Sequence, residues 1–568
     1  MKKRILIVGG VAGGASAAAR IRRLDSEAEI IMFEQGEHVS YSNCALPYLL
    51  SGTVASSESL VLMSPEKFLR QHEIQARTHC QVTAIDRNAK QITVKNLSSG
   101  EIFTECYDKL VLSPGASPIL PKTIAGIHNP HVFTVRNVTD IRALKKWIDE
   151  NQVKKATVIG GGFIGVEVAE NLSMSGISIS LIEGTDQIMA PFDYDMVQTL
   201  HKEMLDHGIS LHLSATLTEI QERTVIFRQN GQQKTLDADV VIMAIGVRPE
   251  TALAQEAGLT IGETGGIWVN HNFQTSDPDI YAVGDAIESF HSILGKPGRL
   301  ALAGPAQRQA RSAADHICGR PVRNKGFIAS SCIRIFEQNA ASTGLNEKAA
   351  RAAGIPFDFS YIYTNDKVGL MPDAHFMAFK LLFEVPTGKI LGAQAIGKGD
   401  VARRIDVIAS MITMGADLED LKELELCYSP VFGTAKDVVN IAALSGLNLL
   451  EGRYRQVSVT KVRELAESGA YILDVREPAE YELGHIKGAH HIPLSQLKER
   501  MDEVPKDVPV YVHCRSSQRS YYAVCRMQGR GYKNLYNLTG SFLGICLYEY
   551  FNDQTQNRKP IVTAYNFK

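Results

Sequence analysis

The sequence has no pair of cysteines spaced as CxxC, and its nine cysteines are scattered over 568 residues without framework spacing. A disulfide scaffold or a structural zinc site is therefore not expected, and no metal ligands are predicted. Reduced, scattered thiols are typical of proteins in a reducing compartment, so the sequence predicts a cytoplasmic location.

Long apolar runs and a strong charge of either sign are also missing. No apolar stretch approaches the roughly 20 residues of a membrane helix, and the apolar part of MKKRILIVGG is too short for a signal peptide. The formal net charge of −2 and the absence of a long Lys/Arg run argue against a nucleic-acid partner. The length predicts three to five globular domains.

What the sequence does contain is one pattern used twice. Residues 4–8 (RILIV) lead into GGVAGG, and residues 156–159 (ATVI) lead into GGGFIG. Each glycine turn precedes a helix-compatible stretch and a second apolar run that ends in an acid, Glu34 or Glu183. A strand, glycine turn, helix and strand in this order predict two doubly wound, Rossmann-like α/β domains.

The second turn matches the dinucleotide pattern GxGxxG with Gly160, Gly162 and Gly165. Such a turn lets the backbone approach a pyrophosphate at a helix N-terminus, although a purely structural turn is the alternative. Glu183 is placed to accept hydrogen bonds from a ribose 2′-hydroxyl, and no arginine follows it to hold a 2′-phosphate. We therefore predict NADH rather than NADPH.

The first turn departs from this pattern. Gly9 and Gly14 hold the outer positions, but Val11 occupies the place of the middle glycine. A degenerate domain without ligand is one interpretation. Asp285, in the string AVGD, favours FAD instead, because flavoprotein reductases use an acid there to bind the ribityl chain.

These features resemble the pyridine nucleotide–disulfide oxidoreductase family over about residues 1–445. The resemblance implies bound FAD and a separate nicotinamide nucleotide site. With the glycine turns it gives this set of cofactor-binding residues: Gly9, Ala12, Gly13, Gly14, Glu34, Ser113, Pro114, Gly115, Gly160, Gly162, Phe163, Ile164, Gly165, Glu183, Gly246, Gly284, Asp285 and Ala303.

Cys44, in SYSNCALPY, lies ten residues after Glu34, and the cysteine closest to it in sequence is Cys80. A lone cysteine is often a small buried residue, but its polar neighbours between two nucleotide domains favour a redox centre. Without a second thiol nearby, the oxidised form must be a mixed disulfide, a persulfide or a sulfenic acid. Pro47 suits the first turn of a short helix, whose N-terminus would favour the Cys44 thiolate.

The string SNCALPY narrows the resemblance to coenzyme A–disulfide reductases and their NADH oxidase and peroxidase relatives. That subgroup implies the following coenzyme A contacts: Ser16, Arg20, Arg23, Ser40, Asn43 and Lys436. The two arginines suit phosphate binding, with a solvated basic helix face as the alternative.

Tyr428, in CYSPVFGTAKD, matches the tyrosine that reaches the partner's active site in the family's homodimers. It would protonate or orient a leaving thiolate. A second tyrosine usual in coenzyme A–disulfide reductases is Leu370 here, which favours a persulfide or polysulfide over coenzyme A disulfide.

The last hundred residues resemble a rhodanese domain, through ILDVREPAEYELGHIKGAHHIP (472–493) and YVHCRSSQRS (511–520). Asp474 and Arg476 are expected to be structural. The loop starting at Cys514 would form a nest of backbone N–H groups that stabilises a persulfide. Arg519 follows Cys514 by five positions, whereas a phosphatase of similar shape has its arginine one position later; this shorter spacing favours sulfur over phosphate.

The sequence therefore predicts an FAD- and NADH-dependent reductase of persulfides, polysulfides and coenzyme A disulfide, coupled to a sulfurtransferase. Two alternatives stay open, an NADH oxidase or peroxidase that uses a Cys44 sulfenic acid, and a flavin-containing redox sensor without turnover. The predicted boundaries are as follows: FAD domain 1–118 and 246–325, NADH domain 119–245, dimerisation domain 326–446, linker 447–456, rhodanese domain 457–555 and tail 556–568.

Overall fold

The computed structural model describes residues 2–567, which divide into two compact units. The first unit extends to Asp186 and resumes over His212–Phe327. The second unit combines Gln187–Leu211 with the chain from Ile328 onward.

The chain up to Ile182 contains the elements β1 (Arg4–Val8), α1 (Ala12–Leu24), β2 (Glu29–Phe33), α2 (Pro65–His72), β3 (Ile74–Arg77), β4 (Cys80–Asp86), β5 (Gln91–Asn96), β6 (Ile102–Cys106), β7 (Lys109–Leu112), β8 (Ala116–Pro118), β9 (Val132–Phe133), α3 (Val138–Glu150), β10 (Lys155–Ile159), α4 (Phe163–Met174) and β11 (Ser178–Ile182).

The next stretch, up to residue 327, contains α5 (Tyr194–Asp206), β12 (Ser210–His212), β13 (Ala215–Ile220), β14 (Thr224–Gln229), β15 (Gln232–Asp237), β16 (Val240–Met243), β17 (Val247–Pro249), α6 (Ala252–Glu256), β18 (Ile280–Ala282), β19 (Ser289–His291), β20 (Lys296–Gly298) and α7 (Ala303–Ile317).

Both predicted nucleotide-type sheets are present in the first unit, which confirms the fold class. One sheet has the order β18-β7-β1-β2-β3 with every pair parallel, and the other contains β11-β10-β16-β9, also parallel. Their strands are continuous apolar runs because helices cover both faces of such sheets; Ile5, Leu6 and Ile7 are fully buried. The carboxyl ends of β1 and β10 carry the two glycine turns.

The second unit is built from β21 (Ser331–Ile335), β22 (Gln338–Gly344), α8 (Glu347–Ala352), β23 (Phe357–Asn365), β24 (Phe376–Glu384), β25 (Ile390–Gly397), α9 (Val401–Met414), α10 (Leu418–Lys422), α11 (Val438–Leu450), β26 (Gln456–Val457), α12 (Val462–Glu467), β27 (Tyr471–Asp474), α13 (Pro478–Glu482), β28 (His490–His491), α14 (Leu497–Arg500), β29 (Val510–His513), α15 (Gln518–Gln528), β30 (Leu535–Leu538) and α16 (Ser541–Gln556).

An antiparallel sheet in the order β21-β22-β25-β24-β23 forms the first half of this unit. The strands β24 and β25 are antiparallel neighbours and pair across the turn that joins them, which contains Pro386 and Gly388. Two helices follow these strands, because Gly415 adopts a left-handed φ of +76° and ends α9 before α10 begins.

A small parallel sheet, β26-β30-β29-β27-β28, forms the last module and packs on the antiparallel sheet through α16. The hydroxyl groups of Tyr361 and Tyr363 on β23 are 2.7 Å apart, and their rings lie against Gly540 and Gly544 at the start of α16. Farther along α16, the ring of Tyr548 meets Tyr194 of α5, with centroids 5.9 Å apart.

A fully buried lysine, Lys380 on β24, lies beneath this junction. Its Nζ atom is 2.9 Å from Asp195, 3.2 Å from Asp193 and 2.5 Å from Glu347. Burial by itself would lower the pKa of Lys380, but the three carboxylates outweigh it and raise this pKa. These carboxylates are close enough to hold a cation, and the lysine ammonium group serves as that cation.

Candidate active sites

The second glycine turn leaves open space where a phosphate would lie. Gly160 has a φ of +109°, and a Cβ atom there would come within 2.3 Å of the Ala244 carbonyl oxygen, so only glycine fits. A Cβ at Gly162 would meet nothing within 4 Å. No side chain caps α4, so its first N–H groups and the space at Gly162 fit a pyrophosphate.

The acid that follows each glycine turn also has a structural role, which the sequence did not indicate. The Glu183 carboxylate accepts hydrogen bonds from the backbone N–H groups of Gly161 at 2.7 Å and Thr185 at 2.8 Å. Glu34 does the same for Gly10 and Gly36, both at 2.8 Å. Each carboxylate therefore holds its own glycine turn in place, and its remaining lone pairs are available for a ribose hydroxyl.

Ser113 lies at the centre of the first predicted nucleotide site. A Cβ on Gly9 would come 2.0 Å from the Ser113 carbonyl oxygen, and one on Gly13 would come 2.4 Å from its Oγ atom. On the other side, a Cβ on Gly284 would lie 3.5 Å from the same Oγ atom. The structure thus brings the glycine turn, the end of β7 and the segment before Asp285 together.

The remaining predicted cofactor residues lie beside these two centres. Ala12 and Gly14 are on α1, and Pro114 and Gly115 follow β7. Phe163, Ile164 and Gly165 form the first turn of α4. Gly246, with a φ of +118°, follows β16, and Ala303 begins α7.

Cys44 lies in a single 3₁₀ turn, Asn43–Ala45, and a second turn follows at Pro47–Leu49. These turns replace the predicted short helix. They are held against α4, since the Ser51 hydroxyl donates to Asn171 Oδ1 at 2.6 Å and the Ser175 hydroxyl donates to the Leu50 carbonyl at 2.7 Å. Cys44 itself is exposed.

The prediction that a helix N-terminus favours the Cys44 thiolate is wrong. Although part of Cys44 is exposed, the protein atoms around its thiol exclude water and raise its pKa, and the carboxylates of Glu167 and Asp285 raise it further. A three-residue turn has too few aligned peptide dipoles to oppose these effects. The local electrostatics of the chain therefore favour the protonated thiol.

Glu167 is a candidate residue that the sequence analysis missed. It lies on α4, five residues after Gly162, and its carboxylate has no hydrogen bond or ion pair with residues 2–567. Burial, together with Glu170, raises the pKa of Glu167 to about 7. The sequence shows an acid on the helix that follows the second glycine turn. Only the fold shows that the charge of this acid raises the pKa of Cys44.

The residues predicted to contact coenzyme A differ in whether their side chains already pair with another residue of the chain. The Arg20 guanidinium group forms an ion pair with Asp315, with Nη2 2.6 Å from Oδ1. Arg23 is exposed and has no such partner among residues 2–567. Ser16, Ser40 and Asn43 lie with them in the first unit and are partly or fully exposed; Ser40 has a left-handed φ of +47°.

Tyr428 and Lys436 belong to the second unit, whereas Cys44 belongs to the first. Tyr428 is half-exposed and lines a cavity of about 680 Å³ together with Arg403 and Phe432. Lys436 lines a neighbouring cavity of about 290 Å³. Leu370, at the position where the resemblance implied a second tyrosine, is 87% exposed.

Asp474 and Arg476, which were expected to be structural, form a buried ion pair inside the last module. Arg476 is fully buried and donates to the Asp474 carboxylate, with Nη2 2.6 Å from Oδ2, and to the Gly484 carbonyl at 2.8 Å. Its guanidinium group also lies 3.9 Å from the centre of the Phe542 ring. Burial lowers the pKa of the adjacent His513, so this imidazole is neutral.

Cys514 follows directly after β29, and only 1% of its surface is exposed. Two N–H groups of α16 hold the loop after it: Phe542 donates to the Cys514 carbonyl at 3.0 Å, and Leu543 donates to the Arg515 carbonyl at 3.2 Å. These two hydrogen bonds tie the loop to the start of α16.

Two serine hydroxyls lie near the Cys514 sulfur, Ser520 at 3.6 Å and Ser541 at 3.9 Å. Arg519 forms a two-pronged ion pair with Glu480 of α13, at 2.6 and 2.7 Å. Ser541 and Glu480 were missed, because only the folded chain brings them to the loop.

Comparison with known families gives three matches along the chain. Residues 3–310 match the family described as pyridine nucleotide-disulphide oxidoreductase, and residues 331–437 match its dimerisation domain. Residues 458–547 match the rhodanese-like domain.

Individual proteins match over most of their length. A coenzyme A disulfide reductase of Staphylococcus haemolyticus is 31% identical over 450 residues, which are 79% of this chain and all of that protein. The structure of reduced CoADR-RHD from Bacillus anthracis is 40% identical with a TM-score of 0.93, covering 98% of this chain and 99% of that one. An NAD-dependent persulfide reductase from A. fulgidus is 32% identical with a TM-score of 0.90, covering 95% and 99%.

Proposed function

Because the chain belongs to the pyridine nucleotide-disulphide oxidoreductase family and ends in a rhodanese-like domain, we propose that it reduces persulfides, polysulfides and coenzyme A disulfide with electrons from NADH. The observation that carries this proposal is an exposed lone thiol, Cys44, fixed against the helix of a nucleotide-type glycine turn. The names of the relatives from Staphylococcus, Bacillus and A. fulgidus support the substrate class.

The two glycine turns would hold the cofactors. Gly9, Ser113 and Asp285 would bind FAD, and Gly160, Gly162 and Glu183 would bind NADH. Bound FAD would pass electrons from NADH to sulfur. The protein residues bind and orient these groups, and Glu34 and Glu183 keep the turns in shape through their backbone hydrogen bonds.

Cys44 performs the sulfur chemistry in this proposal. Its thiolate attacks the outer sulfur of coenzyme A persulfide; the S–S bond breaks, coenzyme A leaves as a thiolate, and a Cys44 persulfide forms. Two electrons and a proton then release hydrogen sulfide and restore the Cys44 thiolate. With coenzyme A disulfide, the same attack gives a mixed disulfide, and two electrons release the second coenzyme A.

The other contacts follow from the family and stay proposals. Arg20, Arg23, Ser16, Ser40, Asn43 and Lys436 would bind coenzyme A, whose phosphates suit the unpaired Arg23. In a homodimer, Tyr428 of one copy would protonate the thiolate that leaves Cys44 of the other. A cytoplasmic setting suits the nine free thiols.

Replacement of Cys44 tests the proposal directly. We expect Cys44→Ser to keep its FAD and to lose NADH oxidation with coenzyme A persulfide by at least 10³-fold, because serine cannot accept a sulfane sulfur. Cys106→Ser, which replaces an exposed thiol at the end of β6, is the matched control and keeps full activity. Undiminished turnover by Cys44→Ser would overturn the proposal, and stoichiometric NADH loss in air without a sulfur substrate would favour an NADH oxidase.

Cys514 would accept a sulfane sulfur and pass it to a thiol or, on a coenzyme A carrier, to Cys44. We expect Cys514→Ala to abolish thiosulfate or persulfide sulfurtransfer and to slow polysulfide reduction, while coenzyme A disulfide reduction stays unchanged. Cys525→Ala is the control within the same module, because Cys525 is an exposed thiol on α15. If Cys514→Ala reduces polysulfide and coenzyme A persulfide at the full rate, sulfur does not pass between the two centres.

A further inference from the structure

Arg519, in the first turn of α15, does not present a free charge beside the sulfur loop. Its Nη1 and Nη2 atoms lie 2.6 and 2.7 Å from the two carboxylate oxygens of Glu480 on α13. These hydrogen bonds raise the pKa of Arg519, and the Cys514 thiolate adds to the rise, so the pair lies within electrostatic range of the reactive sulfur. A two-pronged pair of this kind occupies two donors of the arginine and neutralises its charge.

Glu480 is a fixed negative charge in this arrangement. The Arg519 guanidinium group lowers the pKa of Glu480, so its carboxylate is charged at neutral pH. Its Oε2 atom also accepts the backbone N–H of Glu477 at 3.2 Å, at the start of α13. A glutamine could still accept that N–H, because glutamine serves in a capping box as glutamate does. The start of the helix therefore explains a polar side chain at this position but not a charged one.

Two further arginines of the module are held elsewhere. Arg476 is fully buried in its ion pair with Asp474. Arg515 Nη1 donates to the Asn566 carbonyl at 3.2 Å, and its Nη2 atom is buried without a hydrogen-bond partner among residues 2–567. Arg519, whose side chain is 30% exposed, is thus the arginine of the loop that an incoming sulfur donor meets at the surface.

Sulfane-sulfur donors differ in the charge of their reacting end. Thiosulfate carries two negative charges; when the Cys514 thiolate attacks its outer sulfur, the S–S bond breaks and sulfite leaves with the electron pair. An alkyl persulfide, R–S–SH, is neutral or singly charged at this end, and the same attack releases R–S⁻. Both reactions leave a persulfide on Cys514. A carboxylate that cancels the charge of Arg519 therefore disfavours the dianion more than it disfavours the persulfide.

We propose that Glu480 determines the donor specificity of the sulfurtransferase site, because it neutralises Arg519 and so directs Cys514 to persulfides rather than to thiosulfate. The inference deepens the proposed function, on which it rests, by naming the class of donor. Glu480 acts through Arg519 and is a positioning residue, not a catalytic one.

The first test compares two alkylating reagents on the full-length protein, neutral iodoacetamide and anionic iodoacetate. Both consume the same Cys514 thiolate, so the ratio of their rate constants cancels the pKa of the thiol and reports the charge around it. Mass spectrometry of the peptide that contains Cys514 measures each rate. We expect Glu480→Gln to raise the iodoacetate-to-iodoacetamide ratio by about threefold or more, because one negative charge is lost.

Glu482→Gln is the matched control. Glu482 is an exposed carboxylate on the same helix, two residues after Glu480. Its replacement removes the same charge and leaves the ratio of the two reagents unchanged.

The second test measures the donors themselves. Wild type and Glu480→Gln are mixed with thiosulfate or with glutathione persulfide, and mass spectrometry follows the single-turnover formation of the Cys514 persulfide. We expect Glu480→Gln to raise the rate with thiosulfate, relative to that with glutathione persulfide, by about fivefold or more. A purely structural role of Glu480 would change both rates by the same factor.

Variants of Arg519 show whether Glu480 acts through it. Arg519→Gln leaves the carboxylate unbalanced and lowers the reagent ratio below that of the wild type. The double variant Glu480→Gln/Arg519→Gln carries neither charge and returns the ratio to the wild-type value. A gain from Glu480→Gln that persists in the double variant would contradict the inference.

A reagent ratio in Glu480→Gln equal to that of the wild type would also overturn the inference. Should Glu480→Gln not fold, Arg519→Gln gives the same measurement with the opposite shift, and an unshifted ratio there has the same meaning. The proposed function fails separately, if wild-type Cys514 takes up no sulfur from a persulfide. Alkylation needs no such uptake, so the two failures are distinguishable.

Discussion

The Ser51 hydroxyl donates a hydrogen bond to Asn171 at 2.6 Å and so ties the segment after Cys44 to helix α4. Glu167 lies one turn earlier on this helix, and its carboxylate raises the pKa of the Cys44 thiol. The helix that begins at the second glycine turn thus also contributes to the electrostatic environment of the Cys44 sulfur.

Removing the Glu167 charge should make Cys44 a better thiolate. With the pKa of Glu167 at about 7, its carboxylate is mostly charged above that pH and there opposes ionisation of Cys44. In the holoenzyme Glu167→Gln, we expect the alkylation profile of Cys44 to move to lower pH by about half a unit.

Glu150→Gln, at the exposed end of α3, controls for the loss of a carboxylate. It leaves the alkylation profile of Cys44 in place. An unshifted profile in Glu167→Gln would mean that its charge does not reach the sulfur.

The choice between NADH and NADPH should depend on Glu183. We expect the wild type to prefer NADH by at least tenfold in kcat/KM, and Glu183→Ala combined with Gly184→Arg to reverse this preference, since an arginine then replaces a repelling carboxylate. Steady-state kinetics with both nucleotides measures it. Glu183→Ala alone is the control, and it should weaken NADH without creating a site for the 2′-phosphate.

The sequence was sufficient to predict both parallel sheets, their glycine turns and the acids that follow them, because short-range spacing determines these features. It was also sufficient for the last module, whose Asp474–Arg476 pair is two residues apart. It did not predict Glu167 beside Cys44 or Ser541 beside Cys514, since each pair is joined by folding over many residues. The prediction of a helix at Pro47 that favours the Cys44 thiolate was wrong. Residue propensities alone did not reveal that this segment forms only a single 3₁₀ turn.

Leu370→Tyr tests whether the leucine at this position favours a persulfide substrate over coenzyme A disulfide. The position is almost fully exposed, so a tyrosine fits without disturbing the packing. We expect the variant to raise kcat/KM for coenzyme A disulfide by about tenfold, because a phenol supplies a proton donor for the leaving thiolate. Leu370→Phe, which lacks the hydroxyl, is the control and should not gain this activity; an equal gain in both variants would exclude proton donation.

Lys380 should be critical for stability. Lys380→Met leaves the buried carboxylates of Asp193 and Asp195 without their cation, and we expect a loss of about 3–5 kcal/mol in the free energy of unfolding. Lys398→Met breaks an exposed pair with Glu337 and should leave the free energy of unfolding almost unchanged, because water screens exposed charges. Denaturant unfolding measures the free energy of unfolding of the two variants. A similar loss in both would show that the buried cluster stabilises the fold no more than an exposed ion pair does.

The contact of α16 with Tyr361, Tyr363 and Tyr194 means that the sulfurtransferase module is not a detachable appendage. A chain shortened after Leu450 would leave three phenol rings facing water and would become prone to aggregation. Anyone who wishes to study the reductase half by itself should replace these tyrosines with polar residues before removing the module.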